Sequence, residues 1–156
     1  MTDHIIPTMP EILAMSGIEH LQRILSGDLS GPPIGDLLRY RLTMVDDGVV
    51  AFEGTPGPEH CNPTGGVHGG WYGTLLDSCM SCAVWSRIPK GRFYTTLEYK
   101  VNLIRAIPQG TPIVATGWAD HVGRSTGTGH GEIRGKADGR LFATGTVTCL
   151  ILSPEP

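Results

Sequence analysis

The segment GGWYGTLLDSCMSCAVWS, residues 69–86, decides the interpretation of this sequence. Its length and apolar content predict a buried helix, and Asp77 is the one charged residue within it. Burial penalises an ionised carboxylate, so such a group is seldom kept in a core helix for packing alone. We therefore interpret Asp77 as a functional residue.

Small residues accompany Asp77 on the predicted helix. Gly70, Gly73, Asp77 and Ser81 follow one another at spacings of three and four, which leaves room on one face for a substrate or a second helix. The glycine-rich approach to this helix exposes free backbone N–H groups at the positive end of the helix dipole. Such groups can stabilise an oxyanion.

The distance along the helix constrains the assembly. Gly69 and Asp77 are eight residues apart, which is about 12 Å at 1.5 Å per residue. One chain therefore cannot place both residues on one carbonyl. An antiparallel copy of the helix, related by a two-fold axis near Gly73, brings Gly69 of one chain beside Asp77 of the other. We predict a homodimer with shared active sites.

The rest of the 156-residue chain predicts one α+β protein. Apolar residues at spacings of three and four predict a helix over 10–26, ended by Gly27. Strands are predicted over 37–45, 49–52, 94–104, 112–122, 125–137 and 141–152, with tight turns at 46–48, 123–124 and 137–139. We divide the chain into an N-terminal helix and linker, residues 1–34, and a main domain, residues 35–156.

Two strand patterns carry further expectations. In the strand over 94–104, apolar residues alternate with polar ones, so we expect the helix to cover the face formed by Leu97, Tyr99, Val101 and Leu103. In the strand that begins at 125, glycines fall on one face, where another backbone or a ligand can approach closely. These glycines are Gly127, Gly129, Gly131 and Gly135.

Composition excludes several classes of function. The net charge of -3, from 12 basic and 15 acidic residues, argues against a nucleic-acid partner. The sequence shows no leader and no long apolar run, so we expect a soluble cytoplasmic protein without a membrane partner. Cys79 and Cys82 lie deep in a predicted helix, which favours core thiols. We expect no metal site.

The residues around the helix resemble a known family. Asn62, then His68-Gly69-Gly70, then Asp77 are spaced as in the PaaI-like hotdog-fold acyl-CoA thioesterases of the phenylacetic-acid pathway type. The resemblance covers about residues 35–152. It implies a long central helix wrapped by a curved antiparallel sheet, here with an extra N-terminal helix. It also implies dimers or dimers of dimers.

The resemblance implies hydrolysis of an acyl-CoA thioester, with no cofactor because coenzyme A is part of the substrate. The backbone N–H of Gly69 would polarise the carbonyl, and Asp77 would act as general base or as nucleophile. Asn62 would orient water or the carbonyl. His68 would shape the loop and hydrogen-bond near the sulfur, although a purely structural histidine is nearly as good an interpretation.

Further residues are predicted to bind substrate. Ser81 and Thr96 would hold the carboxylate or the water, and Arg124 would meet the coenzyme A nucleotide. Gly70 and Trp71 complete the set. Trp71, with Tyr72, Gly73 and Met80, would line the acyl pocket, and its two aromatic residues favour an aryl or medium-chain acyl group.

Two alternatives stay open at this point. One is a non-catalytic acyl-CoA binding module, which keeps the pocket and the dimer. The other is a hydratase or dehydratase of acyl thioesters, which more typically uses a histidine with a carboxylate in a different loop arrangement. The pair of Asp77 with Asn62 argues against the binding module, and the absence of the other loop arrangement makes the hydratase a minor alternative.

Overall fold

Besides a short 3-10 helix at Pro58–His60, four α-helices and six strands lie within residues 4–154, the part of the chain that the computed structural model describes. They are α1 (Met9–Leu13), α2 (Gly17–Ser26), α3 (Pro33–Leu37), β1 (Tyr40–Asp46), β2 (Val49–Gly54), α4 (Gly69–Trp85), β3 (Phe93–Leu103), β4 (Ile113–Val122), β5 (Thr126–Gly135) and β6 (Leu141–Leu152). All six predicted strands are present. None of the helices in this range is long and apolar enough to cross a membrane.

The strands form one antiparallel sheet that wraps around α4. Their order is β1-β2-β4-β5-β6-β3, and α4 packs against β2, β3, β4, β5 and β6. The core therefore lies between the helix and the sheet. The completely buried side chains of α4 are Leu75, Leu76, Cys79, Met80, Ala83 and Val84. The predicted α+β hotdog architecture is confirmed.

Glycines in the sheet allow α4 to lie directly on it. A Cβ atom at Gly117 of β4 would overlap the Cys79 carbonyl and lie 2.6 Å from the Met80 nitrogen. At Gly131 of β5 it would lie 2.7 Å from Met80 Cγ. The element that approaches the β5 glycine Gly131 is thus α4, and it does so with the Met80 side chain and not with its backbone.

The prediction of one continuous N-terminal helix over 10–26 is wrong. The chain forms α1 and α2 instead, with a break before Ser16. The backbone N–H of Ser16 donates to the Glu19 carboxylate (2.7 Å), and the Ser16 hydroxyl accepts from the Glu19 N–H (3.4 Å). This reciprocal cap starts a new helix at Gly17. The Ser-x-x-Glu spacing was the sequence signal that the apolar periodicity concealed.

The prediction that the helix covers the apolar face of β3 holds for Val101, which packs against the core, and is wrong for the other three residues. Leu97, Tyr99 and Leu103 are 57%, 45% and 56% exposed. Side chains of Tyr99 and Leu103 reach Gly73 and Gly69 of α4, but β3 is the last strand of the sheet and pairs only with β6 among the described residues. One helix is too narrow to cover the sheet out to this edge.

Candidate active site

Asp77 lies near the middle of α4, half-buried against β3. Its Oδ1 accepts a hydrogen bond from Thr96 Oγ1 at 3.0 Å. Burial raises the pKa of the Asp77 carboxyl, and the Thr96 hydroxyl, which favours the ionised form, opposes this rise. A carboxylate in this state is a better proton acceptor than one in open water.

Two serine–tyrosine pairs flank the carboxylate. Ser81 Oγ lies 3.1 Å from the Tyr94 hydroxyl, and Ser78 Oγ lies 3.0 Å from the Tyr40 hydroxyl. Ser81 is therefore paired with Tyr94 and makes no hydrogen bond to Asp77. Burial raises the pKa of both tyrosines, which keeps their O–H groups protonated. Sequence reasoning missed both tyrosines, because only folding brings β1 and β3 to this part of α4.

At the start of α4, one backbone N–H donor makes no hydrogen bond to a described residue. His68 is the N-cap residue, and its Nδ1 accepts a hydrogen bond from the Gly70 N–H at 2.9 Å. The Trp71 N–H donates to the His68 carbonyl at 2.9 Å. The Gly69 N–H has no hydrogen bond to a described residue, so it remains open to an incoming acceptor.

Asn62 folds the loop that leads to this helix start. Its Oδ1 accepts hydrogen bonds from the Thr64 N–H, the Thr64 hydroxyl and the Gly66 N–H at 3.0, 2.7 and 3.2 Å. Its own N–H donates to the Gly66 carbonyl at 2.8 Å. The side-chain Oδ1 thus bonds within the loop, while the side-chain nitrogen Nδ2 has no hydrogen bond to a described residue.

Within one chain these residues form two separate groups. Asn62, His68, Gly69 and Gly70 lie at the start of α4, whereas Asp77, Thr96 and Ser81 lie beside its middle. The eight residues from Gly69 to Asp77 span about 12 Å of helix. The Gly69 N–H and the Asp77 carboxylate of the same chain therefore cannot serve one carbonyl group.

A cavity of about 850 Å³ opens beside Asp77. One wall is a face of α4, and the others come from β1, β2, β3 and the N-terminal helices. This volume lies in the range of small-molecule sites. Apolar side chains in the walls include Ile12, Leu21, Ile24, Leu42, Phe52 and Trp85. Sequence reasoning did not predict that the N-terminal residues Ile12, Leu21 and Ile24 lie at the site. The amphipathic pattern of 17–26 did indicate an apolar helix face that packs against another element.

Trp71 lies away from this cavity. It is buried in the core, and its indole N–H donates to the Leu38 carbonyl at 2.9 Å. Tyr72 is also buried and accepts a hydrogen bond from the Ile107 N–H at 2.7 Å. Trp71, Tyr72, Gly73 and Met80, predicted to line the acyl pocket, are buried on α4 and do not line this cavity. The aromatic side chains in the cavity walls are Tyr40, Phe52, Trp85 and Tyr94.

Arg124 lies in the exposed turn between β4 and β5. Its carbonyl accepts a hydrogen bond from the guanidinium of Arg92, which also donates to Ser153 Oγ at 2.9 Å. Two arginines therefore lie close together at this end of the sheet.

Of the two thiols of α4, Cys79 is buried in the core and Cys82 is partly buried and lines the cavity. Cys79 and Cys82 are free cysteines, as expected for core thiols. Burial raises the pKa of Cys82 to about 12 and that of Cys79 further, so neither is a thiolate at neutral pH. Among residues 4–154, no three His, Cys, Asp or Glu side chains are arranged to hold a metal ion.

Known proteins are similar to this chain in sequence and in fold. A Caenorhabditis elegans protein named as a candidate esterase is 30% identical over 98 residues, which are 63% of this chain and 57% of that protein. A thioesterase-type, phenylacetic acid degradation-related protein from Ralstonia eutropha is 26% identical. Its structure has a TM-score of 0.74 and aligns over 83% of this chain and 98% of its own.

Another solved structure contains coenzyme A. It is a hypothetical thioesterase protein from Streptococcus pneumoniae, 24% identical, with a TM-score of 0.67 over 76% of this chain and 89% of its own. This likeness concerns the fold. The thioesterase superfamily itself matches residues 64–142, just over half of the chain, which include α4, β3, β4 and β5. On this match, the chain belongs to the thioesterase superfamily.

Proposed function

We propose that this protein hydrolyses acyl-CoA thioesters at a site shared by two copies of the chain. The observation that carries the proposal is the environment of Asp77. It is a half-buried carboxylate with a raised pKa, it accepts a hydrogen bond from Thr96, and it faces a cavity of acyl-group size. Family membership and the coenzyme A bound in the Streptococcus pneumoniae structure support a coenzyme A thioester as the substrate.

The two groups at α4 have complementary tasks in this reaction. The Gly69 N–H of one copy donates to the thioester oxygen and stabilises the negative charge that develops there. Asp77 of the other copy takes a proton from water as the water oxygen bonds to the carbonyl carbon. The C–S bond then breaks, and the thiolate of coenzyme A takes up a proton. In the nucleophilic version, Asp77 forms an anhydride with the acyl group, which water opens.

The edge of the sheet supports the dimer. β3 is a long edge strand with unpaired backbone groups and exposed apolar side chains, and such an edge can pair with another chain. An antiparallel copy of β3 covers Leu97, Tyr99 and Leu103. The same two-fold axis brings Gly69 of one copy toward Asp77 of the other. We also propose that two such dimers associate, and this part of the proposal rests on the family resemblance alone.

Arg124 and Arg92 are candidates for the nucleotide end of coenzyme A. Both are arginines near an exposed turn, and guanidinium groups bind phosphates through paired N–H donors. We propose this pair as a secondary contact.

Release of free thiol from a panel of aryl, short, medium and long acyl-CoA substrates tests the proposal. We expect Asp77→Asn to lose at least about a hundredfold in rate, the scale of a positioned acid–base group. Asp120→Asn is the matched control, because Asp120 is exposed on β4 and pairs with His130 at 2.6 Å.

Thermal unfolding must show that the variants are folded. Because burial raises the pKa of Asp77, the ionised carboxylate costs stability above its ordinary pKa, and Asp77→Asn should be at least as stable as the native protein at pH 7. If the native protein binds acyl-CoA but hydrolyses none, the chain is an acyl-CoA binding module. If Asp77→Asn keeps full activity, Asp77 is not the catalytic group.

A further inference from the structure

The cavity beside Asp77 extends along α4 to a second, distant end. Asp77, Ser81 and Trp85 line it at spacings of four residues, which places them on one face of the helix. Asp77 and Trp85 are therefore about 12 Å apart along the helix axis. A group that enters at Asp77 and follows this face arrives at the Trp85 ring.

α2 closes the cavity at Trp85. The ring of His20 lies 4.5 Å from the Trp85 ring, centroid to centroid. The Gly17 N–H donates to the Ile88 carbonyl at 3.0 Å, and Gly17 has no side chain because the Trp85 carbonyl occupies that space. These contacts fix α2 on the end of α4, so the position of His20 is set by the backbone.

His20 has no hydrogen-bond partner in the described part of the chain. The residue is 5% exposed, and its Nδ1 is the one buried side-chain nitrogen or oxygen there without a partner. Nε2 likewise has no hydrogen bond to a described residue. At the Asp77 end, by contrast, Ser78 and Ser81 are both paired with tyrosines. An unsatisfied buried polar group costs about 1–3 kcal/mol, so its presence calls for an explanation.

The chemistry of His20 defines a suitable partner. Burial, and then the nearby Arg23, lower the pKa of the imidazole, so the ring is neutral at pH 7. A neutral imidazole has one N–H donor and one acceptor nitrogen, and a hydroxyl can pair with either kind of atom. Because Nδ1 is completely buried, Nε2 is the nitrogen that a group in the cavity can reach. Two apolar side chains of the same helix, Leu21 and Ile24, belong to the cavity wall with His20. A neutral hydroxyl costs less to bury against such side chains than a charged group does.

We propose that His20 binds a hydroxyl group at the far end of the acyl chain. The substrate class is then an acyl-CoA with an apolar body and a hydroxyl about 12 Å from the thioester carbonyl, which is the length of α4 from Asp77 to Trp85, the residue that His20 contacts. This inference rests on the proposed function, because it takes the cavity as the site of the acyl group. His20 acts here as a specificity determinant, and the reacting atoms lie at the other end.

Matched substrate pairs test this inference. Hexanoyl-, octanoyl- and decanoyl-CoA are compared with the same chains bearing a terminal hydroxyl. We expect the native protein to favour the hydroxylated member of the octanoyl or decanoyl pair by about tenfold in kcat/KM, the scale of one net hydrogen bond. The hexanoyl pair is too short to reach His20 and should show no preference.

Three variants separate the hydrogen bond from packing. His20→Phe keeps a ring against Trp85 and should abolish the preference, whereas His20→Gln keeps hydrogen-bonding atoms and should retain part of it. His130→Phe is the matched control, because His130 also stacks on a tryptophan, Trp118 at 5.2 Å, but lies on the exposed side of β5. It should leave the preference unchanged. Thermal unfolding confirms that each variant is folded.

The same pairs as non-hydrolysable thioethers, measured by calorimetry, distinguish the two proposals. If the native protein hydrolyses nothing but binds the hydroxylated thioether about tenfold more tightly, and His20→Phe removes the difference, the pocket inference holds and the proposed hydrolysis fails. If hydrolysis occurs with no preference within any pair, or if the preference survives in His20→Phe, the role of His20 is overturned while the thioesterase stands. Absence of both hydrolysis and discriminating binding overturns both.

Discussion

Replacement of Gly117 by alanine tests how closely α4 lies on the sheet. The new Cβ atom would overlap the Cys79 carbonyl and lie 2.6 Å from the Met80 nitrogen, whereas such atoms keep at least 3.0 Å from backbone. Because the obstacle is backbone, no side chain can rotate out of the way. α4 and β4 must therefore move apart by roughly half an ångström or more.

This movement has two measurable costs. Overpacking of a close-packed core costs about 1–3 kcal/mol, and a backbone clash belongs at the upper end. For a chain of this size, about 3 kcal/mol lowers Tm by roughly 10 °C. Cys79 and Met80 also follow Asp77 within one turn of α4, so the carboxylate moves with them. Misplacement of a catalytic group by 1 Å can cost about a hundredfold in rate, and we expect a loss of at least about tenfold.

Thermal unfolding and thiol release measure the two effects on one sample. Gly66→Ala is the control for stability, because its Cβ would meet only the Asn62 side chain at 3.6 Å, an ordinary contact. It should change the free energy of unfolding by less than about 1 kcal/mol. A Gly117→Ala protein with native Tm and native activity would show that α4 does not rest on the β4 backbone, and the account of this core would be refuted.

Two further predictions concern the carboxylate and the dimer. Thr96→Val removes the hydroxyl donor that favours the ionised form of Asp77, so the pKa of Asp77 should rise further. The acid limb of the pH profile of kcat/KM should then move to higher pH. If the limb does not move, Asp77 is not the group that must be ionised. Leu97→Lys places a charge on the exposed face of β3 and should weaken the dimer by about tenfold or more in Kd, measured by light scattering, with a parallel loss of activity. Leu97→Met is its control, and an active monomer would contradict the shared site.

The sequence predicted what depends on local pattern. A long apolar helix with a single charge identified both α4 and Asp77, and strand-like runs separated by turn residues located all six strands. The break at Ser16 was also written in the sequence, as a Ser-x-x-Glu cap, but the apolar periodicity continued across it. Sequence patterns were therefore sufficient to predict features that depend on a single helix or strand.

Contacts between distant elements could not be predicted in this way. Tyr40 and Tyr94 reach the serines of α4 only because β1 and β3 are brought beside it by the sheet. The exposure of Leu97 depends on the position of β3 at the end of the sheet order, which alternation within one strand does not encode. The contact between the rings of His20 and Trp85 joins α2 to α4, and the amphipathic pattern of α2 alone does not predict it.

The attachment of the N-terminal helices to α4 separates two kinds of evolutionary change. The segment shared with the superfamily begins at residue 64 and carries Asp77, whereas α1 and α2, which close the far end of the cavity, lie before it. They are held by backbone hydrogen bonds, from Gly17 to Ile88 and from Gly91 to Leu13, and by packing of Leu21 in the core and of the His20 ring on Trp85. A different N-terminal segment docked on the same surface would reshape the cavity and leave Asp77 untouched. Under the proposed function, new substrate preferences can thus arise by exchange of one terminal segment, without a mutation in α4.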